Sequence, residues 1–192
     1  MTDKLHCIVL AAGRSSRFGA SKMLAEIDGE PLVRRVVLAV KHAGIGPVSI
    51  VTGHDAERVR LAVDDCCDDA VYTPLYLEGM GTSIAAGVAS LPADCVATLI
   101  LLGDQPLVSP VHLSRLVDTW RAQPRSTIAS SYGDAVGPPA LFPRGQFDAL
   151  IALRGDKGAR DLLRDPAADV VFIECETAMP DVDTPADLDK LI

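Results

Sequence analysis

Short apolar runs alternate along the chain with stretches in which apolar residues recur every three or four positions. The run Leu5–Ala11 is typical of a buried β-strand. Val96–Leu102 is apolar on both faces apart from Thr98, as in a central strand of a parallel sheet. After Pro31 the apolar residues have helical spacing, at Val33, Val36, Val37 and Val40. This alternation predicts an α/β fold.

The same patterns predict the remaining elements. Further strands are expected at Val48–Thr52, Ala70–Thr73, Thr127–Ser131, Pro139–Phe142 and Val170–Glu174. Helices are expected from the N-cap Asp55 to Cys66, over Gly81–Leu91, from Ser109 onward, over Phe147–Leu153 and Lys157–Leu163, and from Thr184 onward. We therefore expect a three-layer, Rossmann-like arrangement with a mostly parallel central sheet, in which ligands bind at the carboxyl ends of the strands.

Length and composition narrow the possible functions. The 192 residues suffice for one domain with a substantial core, so we expect a single domain over residues 1–192. The hydrophobic fraction of 48% argues against disorder, and the net charge of −8 argues against a protein that coats nucleic acid. The longest apolar run, Cys7–Ala12, is too short for a membrane span. Five cysteines without a CxxC pair are typical of reduced thiols, and we expect a soluble cytoplasmic protein.

The first candidate site follows the first strand. This strand continues into a basic loop, Ala12–Lys22. Gly13 and Gly19 allow close approach of the backbone to a ligand, and Arg17 and Lys22 add positive charge for phosphate oxygens. The loop has neither the GK[ST] of a Walker A motif nor GxGxxG. The interpretation we favour is a triphosphate-binding loop, and the alternative is a surface turn with solvated arginines.

Acidic residues at two places are candidate metal ligands. Asp104 follows the strand Val96–Leu102, at the carboxyl edge of the predicted sheet, where it could hold Mg²⁺ against phosphate oxygens. Asp181 and Asp183 precede the last predicted helix, and one of them could join Asp104. The alternatives are a turn residue at Asp104 and, for the later pair, acids that favour the helix dipole.

Two further segments could shape the pocket. Glu78–Ser83 begins a helix after a strand, and a hydroxyl group there could bind a base or a sugar or could simply cap the helix. Gly155–Arg160 places two basic residues at a helix start, which is an anion site if it faces the pocket and a solvated turn if it does not. The four histidines lack metal-ligand spacing and GxSxG is missing, so the sequence gives little support to a nucleophilic enzyme.

Five segments resemble the molybdenum-cofactor nucleotidyltransferases, in particular their cytidylyltransferase-like branch, and occur in that family's order: Leu10–Lys22, Glu78–Ser83, Leu101–Pro106, Gly155–Arg160 and Asp181–Leu188. The resemblance implies a nucleotidyltransferase fold and a Mg²⁺-dependent attack by a substrate phosphate on the α-phosphorus of a nucleoside triphosphate, preferably CTP, with release of pyrophosphate. It implies molybdopterin as the acceptor, a cytosine dinucleotide as the product, and an apo molybdenum hydroxylase as a partner.

The resemblance also implies a role for each matching position. Nucleotide binding falls to Leu10, Ala11, Ala12, Gly13, Arg14, Gly79 and Ser83. The implied catalytic residues are Arg17, Lys22 and Asp104, and the implied metal ligands are Asp104 and Asp183. The acceptor substrate is expected to contact Asp156, Lys157 and Arg160.

Other functions stay open on the sequence alone. A cytidylyltransferase for a sugar or polyol phosphate would use the same kind of basic loop. A chaperone that stores the molybdenum cofactor would need neither a triphosphate loop nor a metal carboxylate, so the set Arg17, Lys22 and Asp104 argues against it. A Rossmann oxidoreductase is disfavoured because GxGxxG is missing.

Overall fold

A seven-stranded sheet forms the centre of the computed structural model, which describes residues 4–15, 18, 21–156, 158–175 and 184–188. In chain order the strands are β1 (Leu5–Ala11), β2 (Glu26–Ile27), β3 (Glu30–Pro31), β4 (Val48–Thr52), β5 (Asp69–Tyr72), β6 (Ala97–Leu102), β7 (Thr127–Tyr132), β8 (Ala135–Pro143) and β9 (Val170–Glu174). The order across the sheet is β5-β4-β1-β6-β8-β7-β9, and β2 and β3 form a separate hairpin.

Most neighbouring strands in the large sheet are parallel. β1 pairs in parallel with β4 and β6, β4 with β5, and β7 with β9, whereas β8 is antiparallel to both β6 and β7. The prediction of a mostly parallel α/β sheet is therefore confirmed.

Helices cover both faces of the sheet. They are α1 (Leu32–Ala43), α2 (Ala56–Leu61), α3 (Met80–Ala89), α4 (Pro110–Ala122), α5 (Phe147–Ile151), α6 (Arg160–Arg164) and α7 (Pro185–Leu188). Alternate residues of β1 point to opposite faces, so Cys7 and Val9 pack with α1 and α4, while Ile8 and Leu10 pack with α3 and α5. These two apolar clusters on either side of one sheet make the three layers.

Two predicted helices differ most from the bounds that their sequence patterns indicated. The helix predicted from Asp55 to Cys66 ends at Leu61, and the Asp55 side chain makes no capping hydrogen bond because its backbone is left-handed, with φ 52°. The helix predicted from Lys157 begins only at Arg160. The positive φ of Gly158, 57°, explains this delay because a right-handed helix cannot pass through that conformation.

Two strand features were not predicted. The turn Asp28–Gly29, with φ of 53° and 77°, closes the β2–β3 hairpin, and its strands are too short to give an alternating pattern. β8 begins before the predicted Pro139, and its register with β7 shifts: Ala129 pairs with Ala140, but Ser130 pairs with Gly137.

No helix among the described residues has both the length and the apolar character required to span a bilayer.

Replacement of Leu99 by alanine tests the core. Leu99 is fully buried in β6, so Leu99→Ala should lower the free energy of unfolding by about 3 kcal/mol through lost burial and the remaining cavity. Urea unfolding followed by circular dichroism measures this. The matched control is Val111→Ala, whose side chain is 71% exposed and whose loss should cost less than about 0.5 kcal/mol. Equal effects of the two substitutions would contradict the assignment of β6 to the core.

Candidate active site

A cavity of about 330 Å³ opens at the carboxyl ends of β1 and β6. The two strands are parallel neighbours with Leu10 opposite Leu102, so the segments that follow them leave the sheet side by side. Its lining residues are Leu10, Ala12, Gly13, Ser15, Lys22, Met23, Tyr76, Gly79, Met80, Ser83, Leu102, Asp104 and Asp156. We call this the nucleotide-side cavity. It lies at the edge of the sheet where the topology predicts a ligand site.

The nucleotide-side cavity brings together eight of the predicted site residues: Leu10, Ala12, Gly13, Lys22, Gly79, Ser83, Asp104 and Asp156. Three others lie elsewhere. Ala11 is buried in the core on the α1 side of the sheet, the Arg14 side chain is exposed and outside the lining, and Arg160 lines a second cavity. Four predicted residues lie outside the described part of the chain: Arg17, Lys157, Asp181 and Asp183.

An ion pair between Lys22 and Asp104 lies at the base of this cavity. Lys22 Nζ is 2.5 Å from Asp104 Oδ2, and the two side chains are only 10% and 14% exposed. The backbone N–H of Lys22 donates a hydrogen bond of 3.1 Å to Ser15 Oγ, which fixes the start of the short 3-10 helix Lys22–Leu24. Gly103, which precedes Asp104, packs closely against Met23, which follows Lys22. A Cβ atom at Gly103 would lie 2.9 Å from the sulfur of Met23.

The second carboxylate oxygen of Asp104 is suited to a cation. Asp104 Oδ1 is buried and has no hydrogen-bond partner among the described residues. A buried, unsatisfied carboxylate oxygen is costly unless a ligand supplies a donor or a positive charge. The described residues contain no cluster of three or more His, Cys, Asp or Glu side chains that could hold a metal ion. With Asp104 as a protein ligand, Mg²⁺ could take waters and substrate phosphates at its other positions.

The backbone after β1 forms one side of the cavity. His54 N–H donates to the carbonyl of Ala12 at 3.1 Å, which holds the end of the strand in place. Gly13 lines the cavity, and a Cβ atom there would meet no protein atom within 4 Å. Ser15 then takes a left-handed conformation, with φ 53°, and its side chain accepts the hydrogen bond from the backbone N–H of Lys22. Gly13, Ser15 and Lys22 line the same cavity, which combines backbone groups and an ammonium group as phosphate binding requires.

The opposite side is made where the start of α3 meets the turn before α6. Gly79 has φ 109°, and a Cβ atom there would overlap the backbone of Gly155. Gly81 N–H donates to the carbonyl of Gly155 at 2.8 Å. This backbone contact places Asp156 in the lining, together with the buried hydroxyl-bearing side chain of Ser83.

A second cavity of about 280 Å³ adjoins the first and shares Leu10, Met80 and Leu102 with it. We call it the acceptor-side cavity. Its lining is mainly apolar and includes Ile84, Ile100, Val136, Pro138, Ala140 and Phe142. The polar side chains in the lining are Gln105, Tyr132 and Arg160. Of these three polar residues, the sequence analysis assigned a role only to Arg160. Gln105 falls in the segment Leu101–Pro106, where only Asp104 was given a role by its side chain, and Tyr132 directly follows a predicted strand.

The cysteine thiols have no place in either lining. None of the five cysteines forms a disulfide bond, and none of them lines the two cavities. Burial raises the pKa of the thiols of Cys7, Cys66, Cys67 and Cys95, so these groups stay protonated at neutral pH. A thiolate nucleophile therefore plays no part in the chemistry that this site can support.

A basic, glycine-containing loop beside a buried carboxylate, both at the ends of adjacent parallel strands, is the arrangement of an α/β enzyme that handles nucleotide phosphates. The class of nucleotidyltransferases has this fold, and the family comparison assigns the chain to it. The chain belongs to the family of the MobA-like NTP transferase domain, whose model matches residues 7–171.

Individual relatives agree with this assignment. The purine catabolism protein PucB of Bacillus subtilis is 30% identical over an alignment of 202 positions, which covers 96% of this chain and 94% of PucB. The crystal structure of Rv0371c from Mycobacterium tuberculosis H37Rv superposes with a TM-score of 0.85, at 30% identity and 97% coverage of both chains. Rv0371c is also known in complex with manganese, and that structure superposes with a TM-score of 0.81, at 29% identity and 97% coverage of both chains.

Replacement of Asp104 by asparagine tests the metal site. Asp104→Asn keeps the shape of the side chain and removes its charge, so the affinity for Mn²⁺ in the presence of a nucleoside triphosphate should fall about 100-fold. Electron paramagnetic resonance of free Mn²⁺ measures this. Asp118→Asn is the control, because Asp118 is 70% exposed on α4 and pairs only with the surface residue Arg121 among the ion pairs described. Unchanged Mn²⁺ affinity in Asp104→Asn would contradict the assignment of Asp104 as a metal ligand.

Replacement of Gly79 by alanine tests the contact across the cavity. Gly79→Ala should cost at least about 2 kcal/mol of stability, because the added methyl group overlaps the backbone of Gly155 and the residue must keep a positive φ. Thermal unfolding measures the cost. At the control position, Gly145, a Cβ atom meets nothing within 4 Å, so Gly145→Ala should be neutral. A neutral Gly79→Ala variant would show that the two segments do not touch.

Proposed function

We propose that this chain is a Mg²⁺-dependent cytidylyltransferase that transfers CMP from CTP to the phosphate of molybdopterin, releasing pyrophosphate and forming molybdopterin cytosine dinucleotide. One observation carries the proposal: the Lys22–Asp104 pair lies beside Gly13 in a single cavity, and Asp104 keeps a second, buried oxygen available for a cation. In this proposal residues 1–192 act as one nucleotidyltransferase domain, and an apo molybdenum hydroxylase receives the product.

The nucleotide is assigned to the cavity between the loop after β1 and the start of α3. The backbone of Ala12 and Gly13 would face the triphosphate, with Lys22 and Arg17 supplying positive charge. The buried Ser83 hydroxyl group would contact the ribose or the base. The other nucleotide-binding assignments, at Leu10, Ala11, Arg14 and Gly79, rest on the family resemblance; of these, Leu10 and Gly79 line the cavity.

The reaction needs positioning and charge neutralisation more than a strong base, because the attacking phosphate is already an anion. This agrees with the lining of the nucleotide-side cavity, which contains no histidine among the described residues. Lys22 neutralises phosphate oxygens and orients them for in-line attack. Asp104, joined by Asp183, would hold Mg²⁺, which when bound supplies positive charge to the phosphates. The side chains of Lys22 and Asp104 are largely buried and pair with each other, so both would be positioned before substrate arrives.

The acceptor is assigned to the acceptor-side cavity. This cavity shares the lining residues Leu10, Met80 and Leu102 with the nucleotide-side cavity, so an acceptor bound in it would lie next to the nucleotide. Its mainly apolar lining supports a flat ring system better than a sugar or polyol, whose hydroxyl groups each require a polar partner when buried. Arg160 in this lining would attract an anionic group. The assignment of Asp156 and Lys157 to the acceptor rests on the family resemblance.

A panel of the four ribonucleoside triphosphates, each with Mg²⁺ and with or without molybdopterin, tests the function through pyrophosphate release. We expect release only with CTP and molybdopterin together. Lys22→Met should lower kcat about 100-fold, because the charge that neutralises the phosphates is lost. Lys41→Met is the control, since Lys41 pairs with Asp68 on the surface, outside both cavities.

Each other result of the panel points to a different function. Preference for GTP would contradict the proposal that CTP is the nucleotide substrate. Turnover of a sugar or polyol phosphate in place of molybdopterin would favour the alternative cytidylyltransferase. Tight molybdopterin binding without pyrophosphate release from any triphosphate would favour a storage chaperone.

A further inference from the structure

The wall of the acceptor-side cavity at Pro138 lies outside the regular ladder between β7 and β8. Because Ala129 pairs with Ala140 and Ser130 pairs with Gly137, the two prolines between Gly137 and Ala140 have no opposite residue. Side chains of β7 bind their carbonyl groups instead. Ser130 Oγ donates to the carbonyl of Pro139 at 2.8 Å, and the hydroxyl group of Tyr132 donates to the carbonyl of Pro138.

A histidine from a different element completes this arrangement. His112 Nε2 lies 2.8 Å from Ser130 Oγ. Since the Ser130 hydroxyl group gives its proton to Pro139, it accepts from His112, which requires the tautomer with the proton on Nε2. Ser130 is fully buried and His112 is 5% exposed. Burial lowers the pKa of His112, and the charge of Arg115 acts in the same direction, so the ring is neutral at neutral pH.

His112 also belongs to the segment that carries Asp104. It lies in the first turn of α4, where its backbone N–H donates to the side chain of the N-cap residue Ser109 at 3.1 Å. The chain from Asp104 to Ser109 is the short connection between β6 and this helix, and its Gln105 lines the acceptor-side cavity. The segment after Asp104 leads into α4, which carries His112, and β7 carries Ser130, which binds the Pro139 carbonyl group. The hydrogen bond between His112 and Ser130 therefore links the Asp104 segment to Pro138 and Pro139, which we call the proline wall of the acceptor-side cavity.

We propose that His112 and Ser130 are positioning residues for the acceptor, which set the proline wall of the acceptor-side cavity relative to Asp104. This inference rests on the proposed function, in which the acceptor occupies that cavity. Neither residue lines the cavity, so both act through the backbone of Pro138 and Pro139 and not by touching substrate. A displacement of about 1 Å between reacting groups is enough to slow a transfer reaction strongly, so a fixed wall matters for the reaction as well as for binding.

Four variants test the hydrogen bond itself. His112→Leu and Ser130→Ala remove it and should raise the KM for molybdopterin about tenfold while the KM for CTP stays within about twofold. His112→Gln should retain a KM near that of the unaltered protein, because a glutamine amide nitrogen reaches the position of Nε2. His112→Asn should behave like His112→Leu, because its shorter amide group reaches only the position of Nδ1.

A second histidine–serine pair provides the matched control. His6 Nε2 lies 2.7 Å from Ser49 Oγ, and both residues are near the amino-terminal ends of β1 and β4, away from the cavities. Burial lowers the pKa of His6 as well. His6→Leu should lower the melting temperature but leave the KM for molybdopterin unchanged. If His6→Leu and His112→Leu raised that KM equally, the effect would be general destabilisation and the proposal would be overturned.

Hydrogen exchange gives a measurement that needs no acceptor. The backbone amides of Val136, Gly137 and Ala140 should exchange at least about tenfold faster in Ser130→Ala and His112→Leu than in the unaltered protein, and at the unaltered rate in His6→Leu. Unchanged exchange rates in both Ser130→Ala and His112→Leu would overturn the inference, whatever their KM values for molybdopterin. Failure of the unaltered protein to use molybdopterin overturns the proposed function instead, and the exchange rates still decide whether the pair fixes the wall. If His112→Leu does not fold, the smaller change Ser130→Ala carries the test.

Discussion

The arrangement of the site depends on one ion pair, between Lys22 and Asp104. The two side chains are largely removed from water, and each charge alone would carry a desolvation cost of several kcal/mol. Their attraction offsets that cost only while the geometry is held, and loss of either partner would leave an uncompensated charge. The hydrogen bond from Lys22 to Ser15 and the close packing at Gly103 both serve to maintain this geometry.

The pair also explains how an acidic chain can offer a site to an anion. The net charge of −8 describes the surface of the whole molecule, and it opposes the approach of a triphosphate. Within the cavity, the Lys22 ammonium group neutralises the Asp104 carboxylate, so the two groups together add no net negative charge. The open backbone at Gly13 then presents peptide groups to phosphates without the repulsion that an isolated carboxylate would cause.

Much of the fold could be predicted because its signals are local. β1 and β4 have the bounds that their apolar runs indicate, and Asp104 was found because an apolar strand ends abruptly in a carboxylate. The start of α4 could also be predicted from Ser109, which precedes the helix and caps it through a side-chain hydrogen bond. Local signals decide where strands end, and the carboxyl ends of parallel strands then decide where the site lies.

Other features could not be predicted because they depend on distant contacts. The shift of register between β7 and β8 follows from two prolines without N–H groups, but only the position of the neighbouring strand shows which residues they displace. The acceptor-side cavity was missed for the same reason, since its lining comes from α3, β6, β8 and α6. The late start of α6 follows from the backbone conformation of Gly158, which residue identity permits but does not require.

The contact between Gly79 and the turn at Gly155 affects which residues of the nucleotide-side cavity can be substituted during evolution. The contact joins the backbone of one segment to the backbone of the other, so the hydrogen bond between them requires no particular side chain at the lining positions. Substitutions at lining positions such as Tyr76, Met80 and Asp156 can then alter the chemistry of the cavity while this hydrogen bond is kept. A new substrate preference can therefore arise by substitution of a few side chains, without a change in the backbone contact between these two segments.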